Sequence, residues 1–308
     1  MKNHFYYPSQ DNQTQIHAIE WIPKCGVKAI LQISHGMVEH IERYDAFADY
    51  LSKRGFYVVG QDHLGHGASV TDDEKHGYFH DTHGNEHVIG DIHKLRQITT
   101  SRYPNVPYFM LGHSMGSFLT RQYITMYGAG LAGVVIMGTG NQPLALVRLG
   151  KLLCRIVASV KGWTYRSTLI NNMAFGGYNR KFRPARTPMD WISRNPENVD
   201  NYLQDSWCTF TFTVNAYYHM FRGIEQLLNR KNFARIPRDL PVLFVAGKDD
   251  PVGDFGKGVI AVYKKYKKEF DDVSLKLYEH DRHEILNEID RKDVYLDIYK
   301  WLENRRRT

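Results

Sequence analysis

An apolar run, Tyr108 to Leu111, feeds directly into Gly112-His113-Ser114-Met115-Gly116, and behind it Phe118, Leu119, Tyr123, Met126 and Tyr127 recur at helical spacing until Gly128. That order specifies a strand, a sharp turn and a helix. A serine at such a turn sits in strained backbone, and glycines on both sides let strand and helix approach where a Cβ would clash. Its hydroxyl then stands free at the strand end. The helix behind it offers backbone N–H groups and a positive dipole end, which favour a negatively charged intermediate. The plain alternative is a glycine-rich corner with an incidental serine, and the flanking strand and helix weigh against it.

The same alternation runs through the first part of the chain. His17 to Ile22 reads as an edge strand and Ala29 to Ser34 as a buried one. Tyr44, Phe47 and Leu51 mark a helix, Phe56 to Gly60 a strand, Val88, Ile92 and Leu95 a helix, and Gly133 to Met137 a strand. Units of this kind imply an α/β fold with a mostly parallel central sheet and helices on both faces. From about residue 140 to 236 the rhythm gives way to an aromatic, basic, helical stretch. It resumes with a strand at Leu240 to Ala246, a helix at Val259 to Tyr266, a strand at Ser274 to Tyr278 and a closing helix through Val294, Ile298, Trp301 and Leu302. The expected organisation is a core from 1–139 and 237–308, with a helical cap, 140–236, inserted after the sixth strand. Such an insertion lies over the carboxyl edge of the sheet, where open α/β folds bind ligands.

No apolar run is long enough to span a bilayer, and Met1 to Pro8 lacks the apolar core of a secretory signal. Cys25, Cys154 and Cys208 are scattered and odd in number, so a reducing, cytoplasmic compartment is expected. The net charge of +7 resides in short groups: Arg180, Lys181, Arg183 and Arg186; Lys264, Lys265, Lys267 and Lys268; and Arg305, Arg306 and Arg307. No aromatic-interleaved pattern accompanies them, which argues against nucleic acid. They read chiefly as solvated helix faces or a frayed terminus, with weak attraction to anionic membrane surfaces or acidic substrates as the second reading. His63, His66, His76, His80, His83, His87 and His93 crowd one region, and His83 and His87 would share a helix face. No His-Glu-x-x-His pattern is present, so neither metal nor cofactor is expected. Nothing here fixes an oligomeric state.

A nucleophilic serine needs a base and an acid to orient it, in the chain order Ser, Asp or Glu, His, each past a strand end. The strand Leu243 to Gly247 runs into Lys248-Asp249-Asp250-Pro251, and Asp250, held before the proline, is preferred to Asp249. The last strand runs into Glu279-His280-Asp281-Arg282-His283, and His283, at the junction with the next helix, is preferred to His280. Two backbone N–H groups should hold an oxyanion: that of Met115, and that of Met37 in the loop His35-Gly36-Met37, with Gly36 turning the chain.

Five stretches together, His35 to His40 with Arg43-Tyr44, Asp62 to Ser69, Gly112 to Gly116, Gly247 to Val252 and Arg282 to Glu288, resemble the monoacylglycerol lipase and lysophospholipase branch of the α/β-hydrolases. The likeness runs from about residue 33 to 288. It implies the α/β-hydrolase fold, a Ser114–Asp250–His283 triad, an oxyanion hole from the Met37 and Met115 amides, a largely structural Asp62–Ser69 loop, and a single-acyl lipid ester such as a monoacylglycerol or lysophospholipid as substrate. The family also contains small-molecule (aryl) carboxylesterases and proline-type aminopeptidases. A peptidase would want cap carboxylates for the substrate amine, and Asp190, Glu197, Asp200, Asp205 and Glu225 have no diagnostic spacing. The cap aromatics suit an acyl or aromatic group better. A non-catalytic binding protein on the same fold is the reading from another class. An Asp-nucleophile dehalogenase or epoxide hydrolase is disfavoured by the serine at the turn.

Overall fold

A computed structural model describes residues 1–306, so Arg307 of the basic tail lies outside the described residues. Eight strands form one sheet: β1 (Lys2–Pro8), β2 (Gln15–Trp21), β3 (Ala29–Ser34), β4 (Phe56–Gln61), β5 (Tyr108–His113), β6 (Gly133–Met137), β7 (Val242–Gly247) and β8 (Val273–Tyr278). Their order is β1-β2-β4-β3-β5-β6-β7-β8. From β4 to β8 every neighbouring pair is parallel, while β1 and β2 run antiparallel to their neighbours.

The stretch expected at the edge is therefore one strand in. β2 lies between β1 and β4, and the edge is the N-terminal segment, joined to β2 over its whole length from Lys2–Trp21 to Pro8–Gln15. Its sequence hides the strand because aromatic residues fall on both faces: Phe5 and Tyr7 turn inward, and Tyr6 outward.

The described residues also form ten α-helices: α1 (Asp45–Ser52), α2 (Gly84–Arg102), α3 (Met115–Tyr127), α4 (Leu144–Lys161), α5 (Thr168–Phe175), α6 (Pro196–Gln204), α7 (Val214–Leu227), α8 (Arg230–Phe233), α9 (Lys257–Lys267) and α10 (Arg291–Arg306). β3 to β7 are buried along their whole length, as a sheet covered on both faces requires. One core packs Ile30, Tyr57 and Met110 against α2, α3 and α9. The other packs Leu31, Val58 and Leu111 against α1 and α10. Alternate residues of each strand thus feed opposite cores. Five helices, α4 to α8, fill the chain between β6 and β7, and α7 packs on α2, α3 and α4.

Because the central strands are parallel, their carboxyl ends lie along one edge of the sheet. The loops after β3, β5, β7 and β8 all leave from that edge, and they carry Met37, Ser114, Asp250 and His283. The loop after β4 braces them. Asp62 accepts the Ile41 N–H at 2.8 Å, the Ala68 N–H at 2.9 Å and a bond with His17 Nδ1 at 2.7 Å, tying three segments to one buried carboxylate.

Candidate active site

Ser114 links β5 to α3 with φ 53° and ψ −119°, the left-handed strain that the motif implies. Its N–H donates to the Met137 carbonyl at 3.0 Å, fixing the turn to the end of β6. The flanking glycines are needed for space. A Cβ on Gly116 would strike the Ser34 and His35 carbonyls, and one on Gly112 would strike the Gly116 carbonyl and Thr120 Oγ1.

Asp250 is fully buried past β7, and its Oδ1 accepts the Val252 N–H at 2.9 Å. Its Oδ2 lies 3.0 Å from His283 Nδ1. This arrangement leaves Nε2 as the ring nitrogen free for chemistry. Asp249 instead reaches Lys181 at 3.3 Å, and His280 is exposed at φ 64°. The imidazole of His283 packs 5.2 Å from the Trp191 ring and 4.7 Å from the His113 ring, centroid to centroid.

In the loop after β3 the left-handed residue is Val38, at φ 55°, and Gly36 has no positive φ. The turning role expected of Gly36 is thus carried two residues later. Gly36 is confined by space: a Cβ there would lie 2.5 Å from Glu39 Oε1 and 3.0 Å from the Ser114 Cβ. The Gly36 N–H donates to Glu39 Oε1, and His35 Nδ1 bonds the Gly36 carbonyl at 2.7 Å. His66 Nε2 accepts the Val38 N–H at 3.4 Å, so the imidazoles of the loop after β4 support the one after β3. Burial, reinforced by the neighbouring His63 and His66, holds His35 well below the usual histidine range.

Behind these residues lies a group of buried charges. Arg43 makes a two-pronged bond to Glu284, Nη1 to Oε1 at 2.6 Å and Nη2 to Oε2 at 2.8 Å, and reaches Glu39 Oε2 at 3.2 Å. From α6, Asn198 Nδ2 donates to Glu284 at 2.7 Å and the Tyr202 hydroxyl donates to the Val38 carbonyl at 2.9 Å. Burial alone would raise both carboxyls. For Glu39 the bond to His113 and the charges of His113 and Arg43 outweigh it; for Glu284 the charge and bond of Arg43 do, so both stay below the usual range. In the sequence Glu39, Arg43 and Glu284 stand within motifs with no role of their own to mark them. Nothing along one dimension pairs residue 43 with residue 284.

Two cavities meet at Ser114. The larger, about 560 Å³, is lined by His283, His113, Trp191, Phe210, Tyr202 and three asparagines, with Glu39 and Glu284 its only charged carboxylates and no lysine or arginine. The smaller, about 220 Å³, runs between α3, α4, α5 and α7 past Met115, Leu146, Leu149, Met173, Phe221 and Val252, with Gln142 and Tyr178 almost its only other polar side chains. Met37 and Ser114 line both. The aromatics between β6 and β7 divide accordingly: Trp191 and Phe210 face the larger cavity, Phe221 the smaller and Phe175 both, while Phe212 and Tyr217 are buried in the core.

The carboxylates weighed for a substrate amine are spent elsewhere. Asp190 caps Thr187, Asp200 pairs with Arg186, Asp205 bonds His40 and Glu225 pairs with Arg148 and Lys151; none, nor Glu197, lines either cavity. Among the described residues the histidines from His63 to His93 form no metal-sized group; the one trio with ligand atoms within 4.8 Å of each other is His40, Asp205 and Cys208. Arg305 and Arg306 are not a frayed end: they sit in α10, paired with Asp272 and Glu303.

The family model described as serine aminopeptidase, S33, matches residues 26–290. Mouse monoglyceride lipase is 28% identical over 299 residues, covering 92% of this chain and 86% of its own. The monoacylglycerol lipase of Mycolicibacterium smegmatis is 25% identical over 288 residues, covering 92% and 90%. The structure of a highly thermostable carboxyl esterase from Bacillus coagulans in complex with glycerol superposes with TM-score 0.92 at 28% identity, over 99% of both chains. With an eight-stranded, mostly parallel sheet and a serine at the turn after β5, the chain belongs to the serine aminopeptidase S33 family of α/β-hydrolases, on its monoacylglycerol lipase-like branch, and is a serine hydrolase.

Proposed function

We propose that this hydrolase cleaves carboxylic esters of single-chain lipids, monoacylglycerol foremost, through Ser114, His283 and Asp250. Ser114 Oγ attacks the ester carbonyl while His283 Nε2 takes its proton, and Asp250 holds the imidazole and offsets its charge. The Met37 and Met115 amides hold the oxyanion. The alcohol leaves with the proton from His283, and water releases the acid by the same steps. The helical segment 140–236 acts as the cap that forms both cavities.

The observation that carries this reading is the pair of unlike cavities meeting at Ser114. The smaller, almost wholly apolar, suits an acyl chain; the larger, with its asparagines and no lysine or arginine, suits a neutral polyol. A lysophospholipid phosphate would enter it beside Glu39 and Glu284 with no lysine or arginine in the lining. The names of the monoglyceride and monoacylglycerol lipases, and the glycerol in the esterase complex, point the same way. The unused cap carboxylates count against the aminopeptidase reading.

The cap also presents an apolar outer face. Leu146, Leu149, Leu152, Ile156 and Val160 of α4 and Leu169 and Met173 of α5 are exposed, Val160 by 75%, with Arg148, Arg155 and Lys161 among them. Leu146, Leu149 and Met173 line the smaller cavity too, so its mouth opens on this face. We assign the face to lipid surfaces with anionic headgroups.

The test is a hydrolysis panel on the wild type and Ser114→Ala: p-nitrophenyl esters from acetate to palmitate, 1-monoacylglycerol, lysophosphatidylcholine and a proline anilide. Medium or long acyl esters and monoacylglycerol should turn over in the wild type alone, with lysophosphatidylcholine slower. Turnover of the anilide alone would leave the triad standing and overturn the lipid substrate. Failure of a fluorophosphonate to label Ser114 would favour a binding protein.

A further inference from the structure

His113 is the residue immediately before Ser114, buried at the end of β5, and both its ring nitrogens face acceptors. Nε2 lies 3.2 Å from the main-chain carbonyl oxygen of His283, which can only accept, so Nε2 carries a proton. Nδ1 lies 3.1 Å from Glu39 Oε1 and 3.0 Å from the Tyr44 hydroxyl, and that hydroxyl gives its own proton to the same Oε1 at 2.8 Å. A carboxylate accepts only, and Tyr44 has spent its donor, so Nδ1 carries a proton too. The groups facing His113 are Glu39, Arg43 and Tyr44 from the segment after β3, and His283 and Glu284 from the segment after β8, with His35 beyond Glu39.

We propose that His113 is a positioning residue held as an imidazolium by Glu39, which pins the main chain of His283 and sets a fixed cation beside the nucleophile. Charge balance supports it. With His113 charged, Glu39 and Glu284 are matched by Arg43 and His113, and the buried group is neutral; with His113 neutral, it carries one net negative charge within reach of the forming oxyanion. Burial would lower the basicity of His113, and the bond to Glu39 together with the charges of Glu39 and Glu284 raises it above the usual histidine value. The imidazolium takes no part in proton transfer. It fixes the height of the His283 ring, 4.7 Å away between centroids, and opposes protonation of that ring.

The proposal rests on His283 acting as the base, but its first test does not. In protein labelled with ¹⁵N-histidine, with the His113 signals assigned by their loss in His113→Gln, both His113 nitrogens should show protonated imidazolium shifts from pH 6 to 9, and Glu39→Gln should turn one into an unprotonated nitrogen. One unprotonated nitrogen in the wild type at pH 7 would overturn the proposal. The second test is kinetic, on a soluble ester. His113→Gln should move the acid limb of kcat/KM to higher pH by roughly one unit and lower kcat about tenfold with KM little changed. Glu39→Gln/His113→Gln, which restores neutrality, should bring the limb back toward the wild type. An unmoved limb in His113→Gln, with the labelled signals as expected, would overturn the electrostatic role while leaving His283 as the base.

Discussion

Gly36 shows how a residue can be required for space alone. A Cβ on it would lie 2.5 Å from Glu39 Oε1 and 3.0 Å from the Ser114 Cβ, so the added methyl of Gly36→Ala fits only if one of them moves. Moving either displaces the Met37 amide relative to Ser114, and an error of about 1 Å in such an arrangement costs on the order of 10²-fold in rate. Gly36→Ala should therefore lower kcat by about that factor while the melting temperature changes little, measured on p-nitrophenyl butyrate and by calorimetry; unchanged kcat would remove Met37 from the oxyanion hole. The need for glycine was legible in the sequence, but its cause was not. A one-dimensional reading assigns glycine to a left-handed turn by default, whereas here the left-handed conformation falls to Val38, and only the fold brings Ser114 against Gly36. The preference for Asp250 over Asp249 rests on the proline that follows it, and that for His283 over His280 on its place at the junction with the next helix; in the structure the Asp250 and His283 side chains lie 3.0 Å apart.

At the scale of elements, α4 carries two roles on one helix. Val147, Gly150 and Cys154 turn inward, and Gly150 is fitted against the Phe221 ring of α7, while Leu152 and Ile156 face outward, each about half exposed. Leu152 and Ile156 line neither of the two cavities at Ser114, so replacing both by aspartate leaves the acyl site intact and removes apolar area from the outer face. The expected outcome is unchanged hydrolysis of p-nitrophenyl acetate in solution and several-fold slower hydrolysis of monoacylglycerol in anionic vesicles, with the vesicle rate of the wild type falling as salt is added. Equal loss on both substrates would mean a folding defect, and no loss on vesicles would sink the lipid-surface role. Helices and strands of the core could be read from periodicity because each has one clear buried face. The cap could not be read so far: Trp191 and Phe210 line a cavity while Phe212 is buried in packing, a distinction set by neighbours remote in sequence. β1 does not show in the periodicity, because aromatic residues fall on both of its faces.

For the molecule as a whole, buried acids and histidines pull stability in opposite directions as pH changes. Asp91 of α2 accepts the Gln10 N–H at 2.6 Å and the Ser9 hydroxyl at 2.8 Å, strapping the end of the edge strand β1 to the sheet's helical layer. Burial, the dominant cause, pushes its carboxyl up to about 7 from an ordinary 3.8, against those two hydrogen bonds. An acid that keeps its proton to higher pH in the folded chain binds more protons than the unfolded chain between about pH 4 and 7, so its contribution falls as pH rises through that window. His63 and His66 act with the other sign. Burial above all lowers them to about 3 and about 4, so the unfolded chain binds the extra protons below about pH 6.5 and their contribution falls as pH drops. Because the two effects overlap, the wild-type profile alone cannot separate them, and a neutral isostere can. Asp91→Asn resembles the protonated acid at every pH. The difference in urea midpoint between Asp91→Asn and the wild type should grow in the variant's favour from pH 4 to 7 and level off above about pH 8. A difference independent of pH would mean that Asp91 is ionised throughout and that the strap between β1 and α2 is held by a charged carboxylate.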